Sequence, residues 1–281
     1  MAHTTTIPAQ RTVQDRTAVP PGGSGLLLPS ASLWWREIVR FYRQRSRVVG
    51  VILSPLLFWL VIGSGFGTSF RGQDGGGHYL EYFFPGALTM IVLFTSIFAM
   101  MSVIEDRKEG FLLSVLVAPI SRSVIVLGKV LGGTTLAAVQ GLIFLVFAPF
   151  IGLHFGLAQF GLVVLLTFLL SFSLTALGFS IAWKMDSTQG FHAIVNLLLI
   201  PLWLLSGALF PLSGASRWIR LVMRANPLTY GNEGIRAVLF PGSAAAEFPV
   251  STCLWVLLGF SIAVFSVAFV IANRRSTKPA A

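Results

Sequence analysis

The apolar positions of this chain fall into six long runs, and none of these runs contains Asp or Glu. Each has about 19 to 24 residues, and a helix of that length, at about 1.5 Å per residue, crosses a hydrocarbon core of about 30 Å. The runs are Val48–Phe66, Phe83–Ile104, Val130–Gly152, Phe160–Trp183, Phe191–Phe210 and Val250–Ala272. The pattern predicts an all-α integral membrane protein with six transmembrane helices.

The composition agrees with this class. Hydrophobic residues make up 55% of the chain and charged residues 11%, which would leave a soluble domain short of polar surface. A β-barrel would show short alternating segments instead of continuous apolar runs. The single cysteine, Cys253, lies inside the last run, so no internal disulfide can form.

The net charge of +10 raises the possibility of nucleic-acid binding, but its distribution favours a topology signal. With a cytoplasmic amino terminus, fifteen Lys or Arg residues fall inside and five outside. This imbalance satisfies the positive-inside rule and predicts that both termini are cytoplasmic. The basic excess also suits contact with anionic membrane lipids.

The charge pattern divides the chain into four segments. Residues 1–29 are expected to be a flexible cytoplasmic tail, 30–47 an interfacial amphipathic helix, 48–273 the six-span domain and 274–281 a cytoplasmic tail. Ser32 is the expected N-cap of a helix over Leu33–Arg47. Its rings would lie in the acyl boundary and its guanidinium groups on the headgroups; a cytosolic cap on the bundle is the alternative. The residues concerned are Trp34, Trp35, Arg36, Arg40 and Arg43.

The loop after the second run has an acidic and basic cluster followed by a short apolar stretch. Phe111–Val117 is too short to span a membrane and is followed by Pro119. An exposed apolar segment of this kind is typical of a docking site. A helix end folded back onto the membrane is the alternative.

Between the fifth and sixth runs, Pro211–Phe240 is too polar for a further span but keeps one apolar side. This pattern favours short half-embedded helices in the outer leaflet over an ordinary extracellular loop. The residues of interest are Pro211, Trp218, Asn226, Pro227, Tyr230, Glu233 and Arg236. If exposed, a Glu233–Arg236 pair would contribute only a few tenths of a kcal/mol.

Two of these segments resemble the signatures of the ABC type-2 exporter permeases. The first has the matching residues Glu105, Glu109, Gly110, Leu113, Leu116, Pro119, Gly128 and Lys129. The second comprises Phe210–Ser213, Trp218, Ile219, Asn226–Tyr230 and Arg236. This chain has Phe111 where the family commonly has Thr, which alters that local contact. The resemblance extends over roughly Leu33–Asn273.

The resemblance implies a permease subunit in a bacterial inner membrane that works with a separate ABC ATPase and a second permease, a homodimer being expected. No Walker A pattern occurs, so ATP and Mg²⁺ are expected on the partner and no cofactor on this chain. The amino-terminal helix, the loop after span two and the smaller loop Lys184–Gln189 would contact the ATPase. The expected interface residues are Glu105, Asp106, Arg107, Glu109, Gly110, Phe111, Leu113, Leu116, Lys184 and Asp186.

An exporter of hydrophobic or amphipathic molecules such as drugs or lipids is the favoured function, and a glycan exporter of the same family is the alternative. A secondary transporter usually needs ionisable groups inside the membrane, and no acidic residue lies mid-span. An intramembrane enzyme would need a clustered nucleophile, base or metal site, and the His residues are too dispersed for metal binding. Within the spans, Gln140 and Asn196 can hydrogen-bond across helices.

Overall fold

A computed structural model of the protein describes residues 27–65, 79–117, 121–242 and 246–274. The expectations for residues 1–26 and for most of the carboxyl-terminal tail lie outside these ranges. The regular structure within them is helical. The helices are α1 (Leu27–Arg43), α2 (Arg45–Gly65), α3 (Tyr79–Ala99), α4 (Met101–Lys108), α5 (Phe111–Val117), α6 (Arg122–Leu145), α7 (Leu157–Trp183), α8 (Thr188–Trp203), α9 (Arg217–Ala225), α10 (Pro227–Leu239) and α11 (Val250–Asn273).

Five helical segments of the described chain are long and apolar enough to cross a membrane. They are Tyr79–Lys108, Arg122–Leu145, Leu157–Trp183, Thr188–Ala208 and Val250–Asn273. A shorter apolar helix, Leu53–Gly65, lies within α2. The class predicted from the apolar runs, an all-α membrane protein with about six spans, is confirmed.

The third and fifth spans differ from their predicted bounds. The third span begins at Arg122 and not at Val130, because α6 continues through Lys129, whose side chain is buried. That helix ends at Leu145, and a 3-10 turn follows before Gly152, whose φ of 76° stops it. The fifth span ends its regular helix at Trp203 and continues as a π-helical turn over Leu204–Ala208.

The first helix also differs from its prediction. It begins at Leu27, inside the segment expected to be unfolded, and ends at Arg43 rather than Arg47. Ser32 is not its N-cap: the hydroxyl lies within the helix and donates to the carbonyl of Leu28 at 3.0 Å. α1 therefore ends before α2 begins, at a break at Gln44.

The core of the bundle is centred on α3, which packs against α2, α6 and α7, while α11 packs along α7. α1 lies against α6 at the end of the bundle where α4 and α5 follow α3. Two glycines of α6 allow this close approach. A Cβ on Gly128 would lie 2.6 Å from the Cβ of Leu33, and one on Gly132 would lie 2.8 Å from the Cβ of Glu37. Larger side chains at either position would push α1 away from the bundle.

Candidate functional site

The acidic loop that was predicted to bind a partner protein contacts α1 of the same chain. Arg36 donates from Nη1 to Asp106 Oδ2 at 3.0 Å and from Nη2 to Oδ1 at 2.8 Å. Arg40 donates to Asp106 Oδ1 at 2.6 Å and to Glu105 Oε2 at 2.9 Å. Bidentate and charge-assisted contacts of this kind are the stronger class of hydrogen bond. The bond to Asp106 raises the pKa of Arg36 above its ordinary value, so its charge is secure.

Behind these arginines lies a buried cation between two carboxylates. Lys129 Nζ donates to Glu37 Oε1 at 2.6 Å, to Ser102 Oγ at 3.1 Å and also to Asp106. Ser102 Oγ in turn donates to Glu37 Oε2 at 2.7 Å. Glu37, Asp106 and Lys129 are all buried, and charges removed from water are tolerated only when they are paired and hydrogen-bonded. We call Arg36, Glu37, Arg40, Ser102, Glu105, Asp106 and Lys129 the ionic cluster.

The ionic cluster corrects part of the interfacial-helix prediction. The guanidinium groups of Arg36 and Arg40 bind carboxylates of the protein, where the prediction placed them on lipid headgroups. Trp34 is half-buried, and its indole N–H donates to Thr135 Oγ1 of α6 at 3.0 Å. Trp35 and Arg43 are exposed, and their contact with the membrane interface stays a prediction. α1 is thus bound to the bundle along one side, as expected for the alternative of a cytosolic cap on the bundle. Its other side, with Trp35 and Arg43, is exposed.

The acidic residues expected at the interface differ in how far they are exposed to solvent. Asp106 is fully buried, so the expectation that it offers a contact surface was wrong. Glu105 is half-buried and paired with Arg40. Glu109 is exposed and lies 3.3 Å from Arg40, between their Oε1 and Nη2 atoms.

The short helix α5 is fixed on one side and open on the other. Gly110, with φ of 76°, makes the turn from α4, and Leu112 is buried against Leu33, Val124 and Ile125. The guanidinium carbon of Arg36 lies 3.7 Å from the centre of the Phe111 ring, which makes this half-buried ring part of the fold. Two apolar side chains of α5 remain open, Leu113 at 62% exposure and Val117 at 86%. The side chain of Leu116 lies outside the described part of the structure.

Arg107 joins the two loops that were predicted separately. It donates to the carbonyl oxygens of Trp183 at 2.6 Å and Met185 at 2.9 Å, and to Asp186 Oδ1 at 2.8 Å. Lys184 and Asp186 are exposed beside it. The loop 184–186 and α4 therefore form one continuous surface.

Sequence reasoning missed Glu37, Ser102 and the burial of Lys129. A signal for Glu37 was present, because Leu33, Glu37 and Phe41 recur at four-residue spacing on one side of α1. That side is buried, and the acid therefore needs a buried cation. The Gly128–Gly132 spacing on α6 indicated a close helix approach at the same level.

At the opposite end of the bundle, Glu233 and Arg236 form a fully buried ion pair. Arg236 also donates to the carbonyl of Gly207 at 2.9 Å, and its guanidinium carbon lies 4.2 Å from the centre of the Tyr82 ring. Glu233 Oε2 accepts from the backbone N–H of Glu247 at 2.9 Å. The small contribution expected for an exposed pair does not apply, since burial makes loss of either partner costly.

Other residues of interest at this end hold the irregular end of α8 in place. Asn226 caps α10 by accepting from Leu228 N and donates to the carbonyl oxygens of Leu202 at 2.6 Å and Leu205 at 3.0 Å. Pro227 is the first residue of α10. Tyr230 donates to the carbonyl of Arg224 at 2.8 Å. Pro211 is half-buried, whereas Trp218 is 68% exposed. The free carbonyls at the break in α8 are therefore satisfied by α10.

The two polar residues noted inside the spans have different environments. Gln140 is buried in α6 and accepts a hydrogen bond from Thr95 of α3. Asn196 is exposed on α8, between apolar neighbours that include Leu197 and Leu198. Among the described residues, no group of three or more His, Cys, Asp or Glu side chains could hold a metal ion.

Comparison with known proteins identifies the chain's relatives. The family model described as ABC-2 type transporter matches residues 31–240. The transport permease ycf38 of Cyanophora paradoxa is 28% identical over 243 residues, covering 85% of this chain and 78% of that protein. The inner membrane transport permease YadH of Escherichia coli K12 is 25% identical over 251 residues, covering 86% and 94%. The daunorubicin resistance ABC transporter permease protein DrrB1 of Streptomyces coeruleorubidus is 23% identical over 242 residues, covering 83% and 81%.

Proposed function

Because the chain belongs to the ABC-2 type transporter family, we propose that it is the permease of an exporter driven by a separate ATPase docked on α5. The chain is an ABC transporter permease, a multi-pass membrane protein and a transport component, and its family implies association with an ABC ATPase subunit. ATP and Mg²⁺ are bound by that subunit in this proposal. The proposal also covers the direction of transport, the place where the ATPase docks and the class of substrate.

The exposed apolar pair on α5 is the observation that carries the docking proposal. Leu113 and Val117 lie on one side of a short helix whose other side is fixed by Leu112. Exposed apolar groups outside the spans favour a protein partner. The exposed Glu109, Lys184 and Asp186 supply a polar rim around them, as is usual for interfaces.

The ionic cluster provides a path for coupling. It joins α1, α4 and α6 through contacts of Asp106 and Lys129, and Arg36 links it to Phe111 of α5. A push on α5 is therefore transmitted to α6, a span, through side chains held at fixed distances. Rigid contacts of this type can carry motion from a docked ATPase into the membrane.

A second copy of the chain completes the proposed transporter. α8 presents Asn196 among exposed Leu197, Leu198 and Ile200. An amide facing hydrocarbon is costly, so a partner helix there would stabilise it. The charge count supports a topology in which both termini and α5 are cytoplasmic and α9 and α10 lie at the outer side. The family resemblance, and not the charge count, supports a bacterial inner membrane as the location.

The substrate class proposed is a hydrophobic or amphipathic molecule, moved outward. The name of DrrB1 refers to resistance to daunorubicin, a property of that protein that favours a drug-like substrate here. A glycan exporter is the alternative within the family.

The docking proposal is tested by Leu113→Glu. The chain is co-expressed with candidate ABC ATPase subunits from the same genome, and the ATPase that co-purifies is measured. A charge placed in an apolar contact should reduce binding by about 2 kcal/mol or more, that is, roughly thirtyfold. Leu113→Met should retain binding, and so should Ser216→Glu, at an exposed position at the far end of the molecule. Normal co-purification of Leu113→Glu would rule out docking through α5.

A further inference from the structure

One amphipathic helix is not used by the coupling path. α9 has three sides of different chemistry. Met223 faces the protein and is fully buried. Trp218, Leu221, Val222 and Ala225 form an exposed apolar stripe at i, i+3, i+4 and i+7, and Arg217, Arg220 and Arg224 form a basic stripe beside it.

From this arrangement we infer that α9 binds anionic phospholipids, with its apolar stripe in the acyl region and Arg217 and Arg224 on lipid phosphates. Trp218 and Leu221 are 68% and 71% exposed. An apolar stripe flanked by arginines is the pattern of a helix lying in a membrane interface. The apolar stripe of α9 is thus covered by the bilayer and not by a protein. Two observations favour this: α9 follows the end of the membrane-spanning helix α8, and its arginines carry positive charge.

The three arginines of α9 have different contacts. Arg220 is occupied: it donates to the carbonyl oxygens of Leu212 at 3.0 Å, Ser213 at 2.8 Å and Ala215 at 3.1 Å, which fixes the helix to the turn before it. Arg217 is exposed and has no ion-pair partner within the described ranges. Arg224 is exposed and lies 3.9 Å from Glu247, a long and solvent-screened pair.

Arg217 and Arg224 are therefore the groups available to lipid. They are two helical turns apart, about 10 Å along the axis, so each can reach a different headgroup. Arginine pairs with phosphate in a planar, bidentate manner. A zwitterionic headgroup has the same phosphate but also carries a cation, so it is the net negative charge of an anionic lipid that favours its binding here. The inference rests on the proposed function only in placing the chain in a membrane, and not on the ATPase partner.

The test uses a single fluorophore on Ala225→Cys in a Cys253→Ser background, with the full chain in phosphatidylcholine nanodiscs. Acyl-chain nitroxides are introduced on either phosphatidylglycerol or phosphatidylcholine, and quenching is compared. Labelled phosphatidylglycerol should quench more strongly at the same mole fraction. Each arginine near an anionic lipid favours binding about fivefold, so Arg217→Gln with Arg224→Gln should remove the preference.

A matched variant, Arg43→Gln with Lys184→Gln, loses the same charge at exposed positions at the other end and should keep the preference. Equal quenching by the two lipids in the unmodified chain would overturn anionic recognition. Quenching by neither would mean that protein or water covers the stripe, which also overturns the inference. Because the readout is local to α9, it is independent of whether Leu113→Glu affects the ATPase.

Discussion

The helices α1 and α9 carry the same pattern in sequence and meet different surroundings in the structure. Each has Trp next to Arg and arginines at three- or four-residue spacing. The arginines of α1 that face the bundle meet Asp106 and Glu105. In α9, Arg220 meets backbone carbonyls, Arg217 is exposed, and Arg224 has only the long, solvent-screened pair with Glu247. A basic amphipathic helix therefore becomes a protein contact where a neighbouring element supplies closely hydrogen-bonded carboxylates, and stays available to lipid where it meets only one weakly paired carboxylate.

The largest effect that sharpens this comparison is expected at Lys129. Lys129→Met leaves Glu37 buried without its closest cation, and breaking a buried pair typically costs about 3–5 kcal/mol. Thermal unfolding of the purified chain in detergent should show a large drop in midpoint. Lys184→Met, which removes an exposed lysine, should leave the midpoint unchanged.

Adding Glu37→Gln to Lys129→Met should recover part of the loss, because the uncompensated charge is then removed. If Lys129→Met were as stable as Lys184→Met, the ionic cluster would not hold α1 to the bundle.

A smaller effect is expected at Arg40, which is still 22% exposed. Arg40→Gln removes charge-assisted bonds to Asp106 and Glu105 and should destabilise by about 1–2 kcal/mol. The corresponding change in α9, Arg224→Gln, should cost less than about 0.5 kcal/mol. The two midpoints, measured side by side, compare the helices directly; equal losses would erase the distinction between them.

The membrane class can be predicted from the sequence because long continuous apolar runs are compatible with few other structures. The short apolar segment that forms α5 can also be predicted, because Phe111–Val117 is too short to span a membrane. The ionic cluster cannot be predicted in this way. The predicted third span begins just after Lys129, since a lysine inside a span is costly unless it is paired. The partners of Lys129, Glu37 and Asp106, lie 92 and 23 residues away in sequence, so local pattern does not indicate them.

The break in α8 was equally hidden. Pro and Gly are common in membrane spans, so Pro201 and Gly207 do not by themselves predict a break. The break is recognised only in the structure, where Asn226, Asn232 and Arg236 donate hydrogen bonds to the carbonyl oxygens that it leaves free. Both the ionic cluster and the break in α8 depend on contacts between residues that are far apart in sequence, which a local sequence pattern does not reveal.

The central claim of the account is that α1 and α5 lie on the opposite side of the membrane from α9. Ser187 and Ser216 are exposed positions near these two ends, and Cys253 is buried. Ser187→Cys and Ser216→Cys, each in a Cys253→Ser background, are exposed to an impermeant thiol reagent in intact cells and in inverted vesicles. Ser216→Cys should label only in cells and Ser187→Cys only in inverted vesicles. Labelling of both from the same side would contradict the account.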